Sequence, residues 1–167
     1  MSVVDRRQVL LGGISLAALA GLGALWPQGV VEAAEGDFPF KLSDAEWKSK
    51  LDPAAYQVLR HEGTEPPYTS PLNDEHGAGT FVCAGCAQPL FASDTKFDSG
   101  TGWPSFYTFI AGGIGTSVDD SLFMQRTEVH CSNCGGHQGH VFEDGPAPTG
   151  LRYCINGVAL RFEPKSA

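Results

Sequence analysis

The sequence predicts a mainly β fold with short helices near its N-terminal end. Two observations support this prediction. The chain contains 21 glycines and 11 prolines among its 167 residues, a content that favours many turns over long helices. From Thr80 onward, the apolar residues also fall in short runs that glycine, aspartate and serine interrupt. The length is that of one domain, with room for a leader segment.

The first 33 residues have the form of an export signal. The pair Arg6-Arg7 precedes an apolar stretch at residues 9–26, and residues 31–33 offer small side chains for cleavage. This arrangement is typical of a twin-arginine signal. The alternative is an uncleaved membrane anchor, but the glycine and alanine content of the stretch weakens insertion into a bilayer. We therefore expect a signal peptide at 1–33 and a mature domain at 34–167.

This export route implies a bacterial protein that folds, and acquires any metal, before it leaves the cytoplasm. The expected location is periplasmic or otherwise extracytoplasmic. The formal net charge of −8 argues against nucleic acid and anionic membrane surfaces as partners. We expect a monomer that has no contact with the membrane once the signal has been removed.

Two short helices are predicted at the start of the mature domain. Ser43 and Glu46 have the spacing of a capping box, which indicates a helix that ends near Lys50. Pro53 suits the first turn of a second helix, which is predicted to end near His61.

A β core is predicted over residues 75–163, after a helical arm at 43–62. The proline pair between them requires an extended chain. Alternating or short apolar runs mark the strands. The predicted strands lie at residues 81–82, 89–91, 105–110, 122–129, 141–142 and 151–162.

Two Cys-x-x-Cys motifs predict a metal site. Cys83 and Cys86 form one pair, and Cys131 and Cys134 form the other. The two-residue gap lets both sulfurs of a pair bind one Zn²⁺ ion at about 2.3 Å. The alternative is two disulfides, which an exported protein permits, although such small loops constrain the unfolded chain little. We predict a structural zinc ion with four thiolate ligands, which would join two distant parts of the chain.

Cys154 is the one cysteine outside these pairs. If residues 151–156 form a strand, Arg152, Cys154 and Asn156 share one face, while the apolar residues between them face the core. A lone cysteine is often a small buried hydrophobe, but these polar neighbours favour a reactive thiol on an open face. The Asn156-Gly157 step is predicted to be a hairpin turn or a bulge, and we prefer the bulge.

A thiol nucleophile requires a nearby cation or base, because little of a free thiol is ionised at neutral pH. The sequence offers Arg152, His137 and His140 as candidates. Each histidine alone could be a structural residue or a metal ligand. Their spacing, directly after a complete set of four cysteines, favours an acid–base role.

The sequence resembles the B-type methionine-R-sulfoxide reductases. Several separate motifs carry this resemblance, and they follow one another in the order found in the family. The resemblance covers about residues 43–164. These motifs are CAGC from Cys83, SGTGWPSF from Ser99, RTEVHCSNCGGHQGHVFEDGP from Arg126 and TGLRYCIN from Thr149.

The resemblance implies a fold and an activity. The expected fold is a small domain of two antiparallel sheets with short N-terminal helices, in which zinc joins the two Cys-x-x-Cys motifs. The expected activity is thiol-dependent reduction of the R epimer of methionine sulfoxide in proteins or peptides. The implied substrate is oxidised methionine, and the implied reductant is a thioredoxin-like dithiol protein.

The resemblance also assigns roles to individual residues. Cys154 matches the catalytic cysteine, and Trp103 matches a tryptophan that packs against the methyl group of the substrate. Attack by this thiolate on the sulfoxide sulfur would release methionine and leave a sulfenic acid on Cys154. The other matches are active-site residues (His137, His140 and Asn156) and residues that support the acid and its water (Asp144 and Arg152).

Two positions depart from the family pattern. Thr101 stands where many members carry a resolving cysteine, so no cysteine outside the zinc motifs remains to form a disulfide with Cys154. Regeneration would then proceed by direct reduction of the sulfenic acid or by transfer through a thiol of the zinc site. Gln138 stands where leucine is common, and the sequence suggests no mechanism for it.

Two other functions fit the sequence less well. A zinc-containing binding module without catalysis would give the segment around Cys154 no purpose. A cysteine-dependent hydrolase would require an oxyanion hole, for which the sequence shows no motif.

Overall fold

The computed structural model of the chain describes residues 36–121 and 125–166. The signal peptide predicted at residues 1–33 lies outside the described residues, as does the start of the strand predicted at 122–129. In the described parts of the chain, no helix is long and apolar enough to cross a bilayer.

Two helices open the structure: α1, Asp44–Lys50, and α2, Pro53–His61. The predicted capping box is present, because the Ser43 hydroxyl accepts a hydrogen bond from the N–H of Glu46 and the Glu46 carboxylate accepts one from the N–H of Ser43. Pro53 lies in the first turn of α2, as predicted. Both helices bury apolar side chains in the core, and the buried residues are Trp47, Ala55, Tyr56, Val58 and Leu59.

The strands of the described chain form two antiparallel sheets, which confirms the mainly β prediction. The strands are β1, Gly79–Cys83; β2, Pro89–Ala92; β3, Lys96–Phe97; β4, Ser105–Phe106; β5, Ile114–Asp119; β6, Arg126–Cys131; β7, His137–Phe142; β8, Arg152–Ile155; and β9, Leu160–Pro164. The first sheet has the order β2-β1-β9, and the second has the order β3-β4-β8-β7-β6-β5.

Aromatic side chains from both sheets form one core. Phe81 of β1, Phe91 of β2 and Phe106 of β4 are fully buried. The rings of Phe91 and Phe106 stack with centroids 4.3 Å apart, and Phe81 meets Phe106 edge-on at 5.0 Å. This packing fixes the first sheet against the second.

The prediction for Asn156-Gly157 is wrong, since this step is neither a hairpin turn nor a bulge. The chain forms a short 3₁₀ helix, Gly157–Ala159, and then leaves the second sheet to pair as β9 with β1. The apolar alternation changes here because β8 and β9 belong to different sheets. The buried carboxylate of Glu65 accepts hydrogen bonds from the N–H groups of Gly157 and Val158, which holds this crossing.

Strand β5 was not predicted. It is the edge strand of the second sheet, and its residues alternate between half-buried and exposed along most of its length. Such a strand needs few apolar residues, so it lacks the pattern on which the prediction relied. The two-residue strand β3 is too short to give a periodic signal.

Candidate active site and metal centre

Two turns bring the paired cysteines together. Cys83 ends β1 and Cys131 ends β6, while Cys86 and Cys134 lie in the turns that follow. The four Sγ atoms lie within 4.8 Å of one another, with 3.7 Å between Cys83 and Cys134 and 3.5 Å between Cys86 and Cys131. A tetrahedron with metal–sulfur bonds of about 2.3 Å has edges of about 3.8 Å, so the cluster fits a Zn²⁺ ion. All five cysteines are free thiols, which gives the disulfide alternative no support.

The helices cover this cluster. The ring of Trp47 lies close above Gly85, where an added Cβ would be 3.3 Å away from it. Arg60 of α2 donates a hydrogen bond to the carbonyl oxygen of Cys134 at 3.1 Å. An enclosed set of four thiolates with no open position is typical of structural zinc rather than catalytic zinc.

Cys154 lies within the second sheet, on β8, opposite His140 of β7 and Ser105 of β4. Its neighbours Tyr153 and Ile155 are buried, as the predicted alternation requires. The half-buried thiol lines a cleft of about 130 Å³. The residues around this cleft are Thr64, Trp103, Arg126, Gly139, His140, Phe142, Cys154 and Asn156.

Burial raises the pKa of the Cys154 thiol. Two neighbours favour the thiolate and oppose this shift: the hydroxyl of Thr101, whose Oγ1 lies 3.8 Å from Sγ, and the guanidinium of Arg152. Because burial outweighs them, the free protein holds this residue as a thiol near neutral pH, and any reaction in which its sulfur acts as a nucleophile must remove its proton.

Arg152 is held beside the thiol by Asp144. Its Nε and Nη2 each donate a hydrogen bond of 2.8 Å to the Asp144 carboxylate, and its guanidinium stacks on the ring of Phe142 at 4.4 Å. The hydrogen bonds lower the pKa of Asp144 and raise that of Arg152. Asp144 is exposed and does not line the cleft, so it acts on the site through Arg152.

His140 is the histidine that reaches the cleft. Its Nε2 lies 2.7 Å from Oδ2 of Asp119, which also accepts a hydrogen bond from Nη2 of Arg126 at 2.6 Å. Because an ionised carboxylate only accepts hydrogen bonds, Nε2 carries a proton and Nδ1 holds the lone pair of the neutral ring. Burial lowers the pKa of His140, although the bond to Asp119 opposes this effect.

His137 lies behind His140 rather than in the cleft. Its side chain is buried, and its Nδ1 lies 2.8 Å from Oε1 of Glu128. The two imidazole rings are 5.3 Å apart. The two histidines are therefore not equivalent, although their spacing in the sequence suggests the same role for both. Of the two, only His140 can touch a molecule in the cleft.

Asn156 and Trp103 are both tied to the main chain of Glu65. The Asn156 side-chain oxygen accepts a hydrogen bond from the N–H of Glu65, and its amide donates one to the carbonyl oxygen of Gln138, each 3.0 Å long. The indole N–H of Trp103 donates to the carbonyl oxygen of Glu65 at 3.0 Å. Asn156 and Arg152 are buried, so the expectation that both lie on an open face is wrong.

Sequence reasoning missed the carboxylates that hold the histidines and the loop. These carboxylates are Asp119, Glu128 and Glu65. Three residues around the cleft were also missed: Thr64, Arg126 and Phe142. For Arg126 and Glu128 one signal was available in the sequence. Together with His130, they occupy every second position of a strand. Charged residues at this spacing share one face of a strand. For Glu65 and Thr64, which lie in an extended loop, the sequence holds no such signal.

Comparisons with known proteins show which proteins this chain is similar to. A family model described as the SelR domain matches residues 51–164. The chain is 54% identical over 123 residues to a protein from Agrobacterium fabrum named peptide methionine sulfoxide reductase MsrB, covering 73% of this chain and 91% of that one. Proteins of the same name from Methanosarcina barkeri and Leifsonia xyli are 57% identical over 122 residues and 49% identical over 137 residues. These matches cover 72% and 81% of this chain, and 86% and 99% of the relatives.

Proposed function

This chain belongs to the SelR domain family, whose relatives are named peptide methionine sulfoxide reductase MsrB, and on that premise we propose how it works. It reduces the R epimer of methionine sulfoxide in proteins or peptides to methionine, with a thiol as the source of electrons. The observation that carries this function is the meeting of Cys154, His140 and Trp103 around one cleft. A zinc module without catalysis would have no use for that combination.

Cys154 is the nucleophile and His140 is the acid–base group. Because the resting cysteine is a thiol and burial favours neutral His140, the imidazole accepts the thiol proton and then delivers it to the sulfoxide oxygen. The Cys154 sulfur attacks the sulfoxide sulfur and forms a transient S–S bond. The S–O bond of the sulfoxide and this S–S bond then break as the protonated oxygen migrates to the Cys154 sulfur. Methionine sulfur gains two electrons, Cys154 loses two, and the products are methionine and a sulfenic acid.

Trp103 and Arg152 position the reactants. The Trp103 ring forms an apolar wall that suits the methyl group of the substrate, and sulfur–aromatic contact adds to this fit. Arg152, held by Asp144, favours the thiolate as it forms. Asn156 and His137 maintain the shape of the site through their hydrogen bonds.

A structural zinc ion is bound by Cys83, Cys86, Cys131 and Cys134. Bound there, the ion supplies a rigid link between the two turns and takes no part in the reaction. The residues around the cleft include no second cysteine, so a thioredoxin-like dithiol reduces the sulfenic acid directly. The twin-arginine signal directs the folded protein to an extracytoplasmic location, where it acts as a monomer.

The test is a stoichiometric incubation of the purified chain with each sulfoxide epimer, without reductant, followed by mass analysis of Cys154. The R epimer alone should give methionine and one added oxygen on Cys154. Cys154→Ser should produce neither product, since a hydroxyl is a poor nucleophile toward sulfur. Equal yields from both epimers, or turnover by Cys154→Ser, would contradict the assignment.

The role of His140 is tested separately by single-turnover kinetics. His140→Ala should slow sulfoxide reduction by roughly 10²–10⁴-fold. His137→Ala is the matched control, because it removes an imidazole that does not line the cleft. A greater loss for His137→Ala than for His140→Ala would exchange their roles.

A further inference from the structure

Gln138 presents an unusual buried amide beside the metal centre. Its side chain has no exposed area. The amide nitrogen Nε2 donates to the carbonyl oxygen of Gly136 at 3.2 Å and to Sγ of Cys83 at 3.6 Å. The amide oxygen Oε1 is buried without any hydrogen-bond partner in the described structure. An unmade hydrogen bond of this kind destabilises the folded protein, and an apolar side chain of similar size would avoid that cost.

The neighbours of this amide determine its orientation. A carbonyl oxygen and a metal-binding sulfur are both acceptors, so the NH₂ group must face them. The opposite orientation would place Oε1 against two electron-rich atoms. The orientation that directs the two N–H groups at Gly136 and Cys83 therefore leaves the amide oxygen without a hydrogen-bond partner.

We propose that Gln138 donates a hydrogen bond to the metal-bound thiolate of Cys83 and thereby stabilises the metal centre. Four thiolates around a divalent cation carry a net charge of −2, and a buried charge requires hydrogen-bond donors. The N–H group withdraws electron density from the sulfur, so Cys83 becomes a weaker nucleophile. Hydrogen bonds to metal ligands typically contribute 10–100-fold to metal affinity. The inference depends on the proposed zinc and not on the sulfoxide chemistry.

The main chain of Gln138 serves the other site. Its carbonyl oxygen accepts hydrogen bonds from the N–H of Asn156 at 2.8 Å and from the Asn156 side-chain amide at 3.0 Å. One residue therefore contacts the metal cluster through its side chain and the active-site loop through its backbone. A side-chain substitution changes the first contact and retains the groups that make the second.

The experiment uses Gln138→Leu and Gln138→Met in the full-length protein. Both variants fill the space without an N–H donor. Each protein is loaded with Zn²⁺, and transfer of zinc to excess chromogenic chelator is followed in time. Each is also loaded with Co²⁺, whose thiolate charge-transfer absorption reports the electron density on sulfur. Ile155→Val is the control, because it removes one methyl group from a buried side chain on the neighbouring strand and leaves the Gln138 amide in place.

Both Gln138 variants should release zinc about tenfold faster than the wild type. Their cobalt charge-transfer band should move to longer wavelength, because a sulfur that loses its hydrogen bond gives up an electron more readily. Ile155→Val should change neither quantity. Unchanged release and an unchanged band in both Gln138 variants would overturn the proposal, as would faster release in all three variants without a band shift. A wild-type protein that binds neither metal would also overturn it, while leaving the epimer assay to judge the reductase function.

Discussion

At the scale of single residues, the proposed nucleophile is a thiol that its surroundings keep protonated. Burial raises the pKa of Cys154, and Arg152 is one of two neighbours that favour its thiolate. The second neighbour is Thr101. His140 lies opposite Cys154 on the adjacent strand, and Asp144 lies behind Arg152. Removing a neighbouring positive charge raises the pKa of a thiol further.

Arg152→Met should therefore move the pH dependence of Cys154 alkylation to higher pH. At any pH below the wild-type pKa, less thiolate is present and iodoacetamide reacts more slowly. Above both pKa values the rates should converge. Arg152→Lys keeps the positive charge and should shift the profile less. A profile for Arg152→Met that superimposes on the wild type would show that Arg152 has no electrostatic effect on the thiol.

The position of Thr101 bears on the proposed regeneration of Cys154. Its Oγ1 lies 3.8 Å from Sγ of Cys154, so a sulfur placed at this position would lie close to the sulfenic acid. Thr101→Cys should form a disulfide with Cys154 after one equivalent of substrate. The wild type should instead accumulate a sulfenic acid that a sulfenic-specific reagent captures. Peptide mapping checks both outcomes, and a wild-type disulfide between Cys154 and a zinc-site cysteine would contradict direct reduction.

At the scale of secondary-structure elements, the middle of the second sheet is built around a buried carboxylate. Glu128 of β6 accepts hydrogen bonds from Nδ1 of His137 at 2.8 Å on β7 and from the hydroxyl of Ser117 on β5, and its other contact is His130. Burial opposes ionisation of Glu128, but these hydrogen bonds outweigh burial and hold its pKa below the usual range. One side chain thus joins three adjacent strands.

Glu128→Gln should lower the free energy of unfolding by about 1.5–3 kcal/mol at pH 7, because it removes hydrogen bonds to a charged acceptor. The folded-state pKa is depressed, so this stabilisation is fully present above the unfolded pKa of about 4.3 and is lost as pH falls toward the folded pKa. The difference between variant and wild type should therefore shrink in acid. Urea unfolding at several pH values measures it, and Ser117→Ala, which removes one partner, should have a smaller effect.

At the scale of the whole molecule, the four-cysteine cluster, where we propose a zinc ion, joins the two sheets. Cys83 belongs to the first sheet and Cys131 to the second, and α1 and α2 close over the cluster. A structural zinc ion contributes about 10–16 kcal/mol of apparent binding free energy, which is comparable with the roughly 5–15 kcal/mol stability of an entire domain.

Removing the metal should therefore unfold the protein rather than merely lower its free energy of unfolding. Cys134→Ser, or exhaustive chelation of the wild type, should abolish cooperative unfolding as followed by circular dichroism. Cys154→Ser is the matched control, since it also removes one thiol but should retain one zinc per chain by metal analysis. A wild-type protein that purifies without metal and still unfolds cooperatively would contradict this prediction.

The sequence by itself determined the family of this protein and the local features of its fold. Spacing was sufficient for the four-cysteine cluster, and alternation placed Cys154 opposite the buried faces of Tyr153 and Ile155. The capping box at Ser43 and the start of α2 at Pro53 were also visible. Each of these features depends on residues close in the chain, whose geometry the backbone fixes.

Only the tertiary structure decided which residues meet across the sheets. Asp119 reaches His140 because β5 and β7 both flank β6. Glu65 holds the step from β8 to β9, although it lies 92 residues before Gly157 in the chain. It also separated His140, which lines the cleft, from His137, which is buried behind it. Such contacts join residues far apart in sequence, so no local pattern encodes them. They exist because hydrogen-bonded pairing and close packing of the strands bring these residues together.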